Sequence, residues 1–324
     1  METLRLGTRG SQLALYQANT TKALLKTHAG VDAEIVVIKT SGDRLAEATL
    51  SEVGGKRLFV KEIEDALLEG AIDLAVHSSK DMPVVLPDGL DIAAALERED
   101  PFDAVVLRGG AAPTFRFIEE LVAHLGDSPR IGTGSVRRTA QISRVMPTAR
   151  FLPIRGNLDT RLAKLDAGEF DALILAAAGL KRLGQGSRIS ATLPAIACVP
   201  APGQGIIALE ARADNTRARA VAARINDRTT AAALTAERAV VRRLGGGCQM
   251  PIGAHAMVSG ERMELTGIVI SLDGAQAVRA NAAGDATDAA ELGTRVADQL
   301  VADGASEILA DVQRAHVPVE GLQP

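Results

Sequence analysis

The sequence is poor in the aromatic residues that many nucleic-acid-binding proteins depend on. It has no tryptophan, and aromatic residues make up only 2% of the chain. Proteins that bind single strands stack bases on aromatic rings, so this composition argues against that function. A net charge of −4 also disfavours a phosphate-backbone partner. We therefore expect no nucleic acid among the partners.

Cysteines and long apolar runs are scarce as well. The two cysteines, Cys198 and Cys248, are too few for the disulfide framework of small secreted proteins. The opening stretch METLRLGTRGSQLALYQ lacks the pattern of a signal peptide, and no apolar run approaches the roughly 18 residues of a membrane helix. These absences predict a cytoplasmic protein without a membrane partner. The 324 residues, 47% of them hydrophobic, are enough for two or three folded domains.

Short apolar runs alternate with amphipathic stretches in the first half of the chain. LRLGT, AEIVVIKT and AIDLAVHS predict strands, and SQLALYQANTTKALLKTH and KRLFVKEIEDALLEG predict helices. This alternation is typical of a largely parallel sheet. One unit recurs, with Gly70 and Asp73 before one apolar strand and Gly168 and Asp171 before another. The echo indicates either two similar lobes with a cleft between them or ordinary turn chemistry.

The pattern changes after about residue 225. TAAALTAERAVVRRL predicts a long helix, and AHAMVSG, RMELTGIVI and QAVRANAAG predict three strands, with a hairpin turn at Asp273-Gly274. A final helix is predicted over DAAELGTRVADQLVADGASEILADV. This part reads as a small α+β domain with an antiparallel sheet, and ATLPAIACVPAPGQG (191–205) reads as a crossover between lobes.

Cys248 stands out in VVRRLGGGCQMPIG because three glycines precede it. Glycines carry no side chains and would leave a reactive sulfur accessible. Alternatively, the glycines only end a helix and the thiol packs as a small hydrophobe, which is the interpretation we favour for Cys198 in its apolar context. No histidine has a metal-ligand spacing with a cysteine or with another histidine, so we expect no metal.

Lys80 and Asp81, in VHSSKDMP, fall at the mouth of a predicted strand. A carboxylate beside a lysine stays ionised and could stabilise a cation or move protons of N–H groups; the alternative is a capping aspartate beside a solvated lysine. Arginines recur at or near predicted strand-to-helix junctions, where guanidinium forks and helix N-termini favour carboxylates. They are Arg9, Arg137, Arg138, Arg155, Arg161 and Arg182.

Taken together, the motifs resemble the porphobilinogen deaminase (hydroxymethylbilane synthase) family along nearly the whole chain. The matching stretches are TRGSQLAL, VGGKRLFVKEIE, DLAVHSSKDMP, EREDPFDA, GTGSVRRTAQ, RGNLDTRLAKLDAGEFDALILAAAGLKRLG, PGQG, LTAERA and LGGGCQMPIG. The resemblance implies two periplasmic-binding-protein-like (type II) α/β lobes and a C-terminal α+β domain with a three-stranded antiparallel sheet. The implied domains are 1–97 with 200–223, then 98–199, then 224–324, the last carrying the cofactor cysteine.

The resemblance also implies a reaction of tetrapyrrole (porphyrin, haem) biosynthesis. A transferase of this family condenses four porphobilinogen molecules head to tail, with loss of ammonia, on a dipyrromethane cofactor held by a thioether to Cys248. Water then releases hydroxymethylbilane. Each pyrrole carries carboxylates, which explains the arginines, and Asp81 is the implied catalytic residue. The family habit implies a monomer.

Individual roles follow from the motifs that match. The resemblance implies cofactor contacts from Lys80, Asp81, Ser135, Arg137, Arg138, Arg155 and Gly156. It implies substrate contacts from Arg9, Ser11, Phe59, Arg161, Arg182 and Gln204. Lys56 and Phe59 lie in the GGKRLF segment that would cover the cleft.

Three positions depart from the family pattern, and two other functions stay open. Phe102 stands where arginine is often found, Gly134 where serine is common, and Arg57 where glycine is common. The main alternative is a two-lobed module that binds small carboxylates without catalysis. A hydrolase with a cysteine nucleophile is disfavoured because no histidine has a motif beside the cysteine.

Overall fold

Thirteen strands and ten α-helices lie in the residues that the computed structural model describes, which are 3–41, 60–109, 114–247 and 250–316. The strands are β1 Leu4–Thr8, β2 Ala33–Val37, β3 Leu74–Ser78, β4 Leu90–Ala95, β5 Asp103–Leu107, β6 Arg130–Gly132, β7 Arg150–Leu152, β8 Ala172–Ala176, β9 Ala191–Leu193, β10 Ile207–Arg212, β11 Ile252–Ser259, β12 Arg262–Ile270 and β13 Ala277–Asp285. The helices are α1 Gln12–Leu24, α2 Lys61–Leu68, α3 Ile118–Leu125, α4 Val136–Ser143, α5 Leu158–Asp166, α6 Ala177–Arg182, α7 Thr216–Ala222, α8 Arg228–Leu244, α9 Ala289–Ala302 and α10 Ala305–His316.

Two five-stranded sheets with the same pattern form two lobes. The first lobe has the order β2-β1-β3-β10-β4 and the second β7-β6-β8-β5-β9. In each, the first three strands run parallel and the fourth runs antiparallel to both neighbours. The fourth strand of each sheet follows a connection between the lobes. Residues 96–102, the first crossover, lead from β4 to β5, and residues 194–206, the second crossover, lead from β9 to β10. The predicted α/β architecture is confirmed.

Each lobe contains an equivalent ion pair, which shows that the repeated Gly-x-x-Asp pattern of the sequence belongs to this common architecture. In the first lobe the backbone N–H, Nε and Nη2 of Arg5 donate to Asp73 at 2.8, 3.1 and 2.9 Å. In the second, the same three groups of Arg130 donate to Asp171 at 2.8, 3.1 and 2.8 Å. Each aspartate therefore ties the start of its buried strand to the start of the neighbouring one, which ordinary turn chemistry would not require.

The C-terminal part forms a three-stranded antiparallel sheet, β11-β12-β13, as predicted. Helices α8 and α9 cover one face, and the core between them includes Val240, Leu265, Val296 and Leu300. The prediction of a single final helix was wrong. It is divided into α9 and α10 because Gly304 has φ +101, a left-handed conformation that no helix interior accommodates.

The predicted domain limits fall in connecting segments. Residues 96–102 join β4 to β5, and residues 194–206 join β9 to β10. The limits at 97/98 and 199/200 lie in these segments, and the limit at 223/224 lies between α7 and α8. The division into domains stays a prediction.

Both crossovers are fastened to the C-terminal domain by one buried carboxylate. Glu237 on α8 accepts hydrogen bonds from Arg98 Nη1 at 2.6 Å, from the Gly203 N–H at 2.6 Å and from the Ala256 N–H at 2.8 Å. Arg98 belongs to the first crossover, Gly203 to the second and Ala256 to β11. The three domains therefore meet at a single side chain.

We predict that Glu237→Ala lowers the free energy of unfolding by about 3–5 kcal/mol, because it leaves the Arg98 guanidinium buried without its carboxylate. Urea or thermal unfolding measures the change. Glu264→Ala, at an exposed position of β12, is the matched control and should shift stability by no more than about 0.5 kcal/mol. Equal stabilities of the two variants would contradict this account of the junction.

Candidate functional site

Asp81 lies directly after β3, the central strand of the first lobe. A single 3₁₀ turn, Ser79–Asp81, follows the strand and presents the aspartate at its carboxyl end. The side chain is exposed, and none of the residues that the structure describes donates a hydrogen bond to its carboxylate. This carboxylate is thus available to a ligand at the edge where α/β sheets bind ligands.

Arg9 and Ser11 share a small pocket with Asp81, together with Gln17 and Ser78. Ser11 is the N-cap of α1, and its Oγ accepts a hydrogen bond from the Ala14 N–H at 3.3 Å. Ser11 and Ala14 both line the pocket, so the N-terminus of α1 adjoins it, which favours an anion there. The structure therefore brings three of the predicted site residues, Arg9, Ser11 and Asp81, into one pocket.

Cations from both lobes surround Asp81. Burial lowers the pKa of Lys80 to about 8; Arg138 adds to this effect, and Asp81 opposes it. Burial also lowers the pKa of Arg161, with Arg138 and Arg155 acting in the same direction and Asp81 against them. Lys80 and Arg161 therefore both lie close enough to Arg138 and Asp81 to feel their charges, and Arg155 lies close to Arg161. We call Lys80, Arg138, Arg155 and Arg161 the cation cluster.

Two members of the cation cluster come from the segment around Gly156. Arg155 and Arg161 are half-buried, and no carboxylate in the described part of the chain forms an ion pair with either. Arg161 Nε donates to the Gly156 carbonyl at 2.8 Å, which holds the guanidinium against the turn before α5. Gly156 has φ +105, so the turn itself requires glycine.

Beneath the cation cluster lies a fully buried aspartate, Asp103, which the sequence analysis did not identify. It forms ion pairs at 2.8 Å with Arg137 Nη2 and Arg138 Nη2. It also accepts hydrogen bonds from Gln204 Nε2 at 2.9 Å and Cys198 Sγ at 3.2 Å. Burial would raise the pKa of Asp103, but the two guanidinium groups hold it well below its usual range. A signal was available, since EREDPFDA places this acid at the start of the apolar strand DAVVL.

Arg137 and Gln204 are engaged with the protein rather than directed to an open cleft. Arg137 is only 4% exposed and donates to the Val199 carbonyl at 2.5 Å as well as to Asp103. The Gln204 amide donates to the Pro101 carbonyl and Asp103, and accepts from Lys80 and Arg138. All four of its hydrogen-bonding positions are taken, so its predicted contact with substrate would require rearrangement.

Ser135 and Arg182 have different surroundings. Ser135 is the N-cap of α4, the helix whose first turn carries Arg137 and Arg138. Arg182, at the end of α6, donates from Nη2 to the Gly205 carbonyl at 2.7 Å, and burial lowers its pKa. The described contacts of Arg182 are with the second crossover and do not include Asp81. The predicted ligand contacts of both residues stay predictions.

Cys248, Lys56, Arg57 and Phe59 lie outside the described residues. Near the cysteine, Gly245 has φ +65 and ends α8. The glycines thus do end the helix, which is compatible with either interpretation of the sulfur.

The two other departures from the family pattern have local explanations. The ring of Phe102 meets His255 of β11 edge-on, with centroids 5.4 Å apart, and so joins the second lobe to the C-terminal domain. At Gly134, a Cβ atom would lie 3.1 Å from the Ile154 carbonyl oxygen, so a serine would need a small backbone shift.

Cys198 is buried, as expected, but its surroundings are not only apolar. Its Sγ donates to Asp103 and accepts from Arg137 Nη1, both at 3.2 Å. Burial raises the pKa of the thiol to about 12, with Asp103 contributing in the same direction.

The described residues offer little support for a site of another kind. Within the described ranges, no group of three or more His, Cys, Asp or Glu side chains could hold a metal ion, and none of the helices there is long and apolar enough to cross a membrane. A second, more open cavity lies between Arg144 at the end of α4, the strand β13 and Glu307 of α10. It contains none of the predicted site residues.

Comparison with known proteins decides the family. A family model described as "Porphobilinogen deaminase, dipyromethane cofactor binding domain" matches residues 4–220, and one for the C-terminal domain matches residues 231–302. The porphobilinogen deaminases of Geobacter metallireducens and Geobacter sulfurreducens are 48% and 47% identical to this chain, each covering 98% of it and 97% of the relative. The chain belongs to the porphobilinogen deaminase family.

Family membership confirms the reaction, the enzyme class and the cofactor that the motifs implied. The protein is a transferase of tetrapyrrole biosynthesis that condenses porphobilinogen, and it uses a dipyrromethane cofactor. Among solved structures, immunogenic lipoprotein A of Vibrio vulnificus is 13% identical, with 72% of this chain and 99% of that chain covered at a TM-score of 0.43. A likeness this weak carries no conclusion about the chain.

We predict that Cys198 does not react with a thiol reagent such as dithionitrobenzoate in the native protein, because it is buried and its thiol pKa of about 12 leaves almost no thiolate at pH 8. In denaturant it should react fully. Rapid labelling of Cys198 in the native state, located by peptide mass spectrometry, would show that the Asp103 network is open.

Proposed function

We propose that Asp81 is the catalytic residue of this porphobilinogen deaminase and that the cation cluster binds the carboxylates of the pyrrole chain. The proposal is carried by the position of the accessible Asp81 carboxylate near Arg161, which in turn lies near Arg155. Both guanidinium groups are half-buried, and neither forms an ion pair with a carboxylate among the described residues. A buried cation is costly unless an anion pairs with it. The site therefore suits a ligand that supplies several carboxylates.

The residues present fit a dipyrromethane cofactor. Five cations of the described chain surround the floor of the cleft, against two carboxylates; they are Lys80, Arg137, Arg138, Arg155 and Arg161, with Asp81 and Asp103. When bound, the cofactor supplies a pyrrole carbon that attacks the incoming substrate. We place its attachment at Cys248, whose family motif is complete in this sequence.

Asp81 would act on the substrate at the moment when ammonia leaves. Loss of ammonia creates a positive charge on the pyrrole, and an ionised carboxylate close to it lowers the energy of that state. The same carboxylate can accept a hydrogen bond from the pyrrole N–H and take up a proton when the new bond has formed. Its exposure at the strand mouth, without a hydrogen-bond donor among the described residues, leaves it available for these contacts.

Arg9 and Ser11 are placed to hold the side chains of the incoming porphobilinogen. They share the Asp81 pocket, and the N-terminus of α1 adds its partial positive charge. We assign the acetate or propionate of the substrate to this end of the pocket. Arg182, Gln204, Ser135 and Phe59 keep their predicted ligand contacts as part of the proposal.

The alternative of a carboxylate-binding module without catalysis receives no better support. Two lobes and an anion site would suit both functions. Only an enzyme needs the accessible carboxylate of Asp81 among the cations. In a module that merely binds an anionic ligand, this carboxylate would repel the ligand. We also propose that the protein acts as a monomer in the cytoplasm.

We predict that the intact mass of the purified protein exceeds the mass calculated from the sequence by two pyrrole units, and that Cys248→Ala removes the increment. Cys198→Ala is the matched control and should keep it, because that thiol is buried against Asp103. Mass spectrometry of the three proteins reads the result directly. A wild-type protein that is active and has an unmodified sulfur would refute the assignment of Cys248.

We predict that Asp81→Asn lowers kcat by about 10²- to 10⁴-fold, because the amide can neither stabilise the cation nor accept a proton. The exposed position predicts an unchanged unfolding midpoint. Asp88→Asn, at an exposed position of the same loop, should behave like the wild type. Ammonia release and unfolding curves measure both effects, and wild-type turnover in Asp81→Asn would remove this residue from the mechanism.

A further inference from the structure

Asp103 collects partners from two separate segments. It begins β5, the first strand after the crossover into the second lobe, and it is fully buried. Its partners are Arg137 and Arg138 on α4, and Cys198 and Gln204 on the second crossover. The mechanism described above uses the guanidinium groups but gives this carboxylate no role.

The Asp103 carboxylate fixes the orientation of Arg138 in particular. Arg138 donates to Asp103 from Nε at 2.9 Å and pairs with it through Nη2 at 2.8 Å, while its Nη1 donates to the Ile174 carbonyl at 3.1 Å. A two-pronged contact with a carboxylate defines both the position and the plane of a guanidinium group. Arg138 therefore cannot turn without breaking bonds to Asp103.

Asp103 also reaches Lys80, across the lobes, through one amide. Gln204 Nε2 donates to Asp103 at 2.9 Å, and Gln204 Oε1 accepts from Lys80 Nζ at 3.4 Å and from Arg138 Nη2 at 3.3 Å. The charged groups that Lys80 faces are Arg138 and Arg137, which disfavour its proton, and Asp81 and Asp103, which favour it. The protonation of Lys80 thus depends on a carboxylate with which it makes no direct hydrogen bond.

We propose that Asp103 is a positioning residue of the carboxylate-binding site, which holds the two guanidinium groups directly, and Lys80 through Gln204, in place before any anion has bound. The inference rests on the proposed function, which supplies the anion. Asp103 is one of the carboxylates that offset the two guanidinium groups near Lys80, and its loss would disfavour the proton of the lysine. A neutral lysine would contribute little to binding a carboxylate.

A purely structural role is the competing explanation, because removing one partner of a buried ion pair destabilises any protein. The two explanations differ in their dependence on pH. A structural defect lowers binding equally at every pH at which the protein is folded. Loss of the charge on Lys80 matters only above its pKa and is reversed by acid.

The direct experiment measures the pKa of Lys80 by NMR in the full-length Cys248→Ala protein, with lysines ¹³C-methylated and the Lys80 signal assigned by Lys80→Arg. We expect a value near 8, and in Asp103→Asn a value about one unit lower, a tenfold shift of the protonation equilibrium. Asp100→Asn is the matched control, since Asp100 pairs with Lys181 on the surface, and should leave Lys80 unchanged.

Anion binding supplies a second readout in the same proteins. Sulfate serves as the probe because its charge is constant over this range, and calorimetry gives its affinity. Between pH 6 and pH 8 we expect a fall of about twofold with Asp103 present and about tenfold in Asp103→Asn, from the charged fractions that these pKa values imply. Lys80→Arg should remove the pH dependence in both backgrounds.

An unaltered Lys80 pKa in Asp103→Asn, or an equal fall of sulfate affinity in both proteins, would overturn the inference. If Asp103→Asn does not fold, the double variant Arg137→Met/Asp103→Asn can replace it, because it removes a cation together with the carboxylate. The double variant should still lower the Lys80 pKa. A wild-type Lys80 that titrates at its ordinary pKa would also overturn it. Loss of turnover in Asp81→Asn alongside any of these results leaves the proposed function intact, whereas wild-type turnover in Asp81→Asn alongside the expected titration removes the proposed function alone.

Discussion

The site depends on the balance between buried positive charges and the few carboxylates that hold them. A guanidinium group taken out of water needs an anion close by, and Asp103 provides one for Arg137 and Arg138. Arg155 and Arg161 have no such partner in the described part of the chain; Arg161 lies near Asp81, and Arg155 lies near Arg161. One set of cations is thereby built into the protein, and the other is left for a ligand with carboxylates. This division explains how a chain with a net charge of −4 can bind a polyanion.

The two lobes share a framework, and the site arises where the second departs from the first. A serine caps α1 in the first lobe and α4 in the second, and a buried glutamine follows six residues later, as Ser11 with Gln17 and Ser135 with Gln141. Gln17 bonds to Ser78 at the end of its own lobe's strand. The equivalent strand, β8, ends in alanine, and Gln141 instead binds the Val199 backbone through both its N–H and its carbonyl. The arginine-bearing helix α4 is therefore joined to the second crossover, which Gly253 of β11 also approaches closely.

Much of this could be predicted from the sequence, because local patterns and motifs carry the information. The period of the apolar residues predicted β1, β3, α8 and the C-terminal strands, and the motifs placed Asp81 at a strand mouth. The break at Gly304 was missed because one glycine in an amphipathic pattern does not reveal its φ angle. Asp103 was missed for a different reason. Its importance comes from partners 34 to 101 positions away, and neither periodicity nor the motif around it reports contacts at that separation.

A crystal structure of the protein with its cofactor attached tests the central claim most directly. The account predicts continuous density from the Cys248 sulfur to two pyrrole rings, with their carboxylates on Arg155 and Arg161 and at least one pyrrole N–H within hydrogen-bond distance of Asp81. Density that leads the cofactor away from these arginines, with Asp81 facing only solvent, would contradict it.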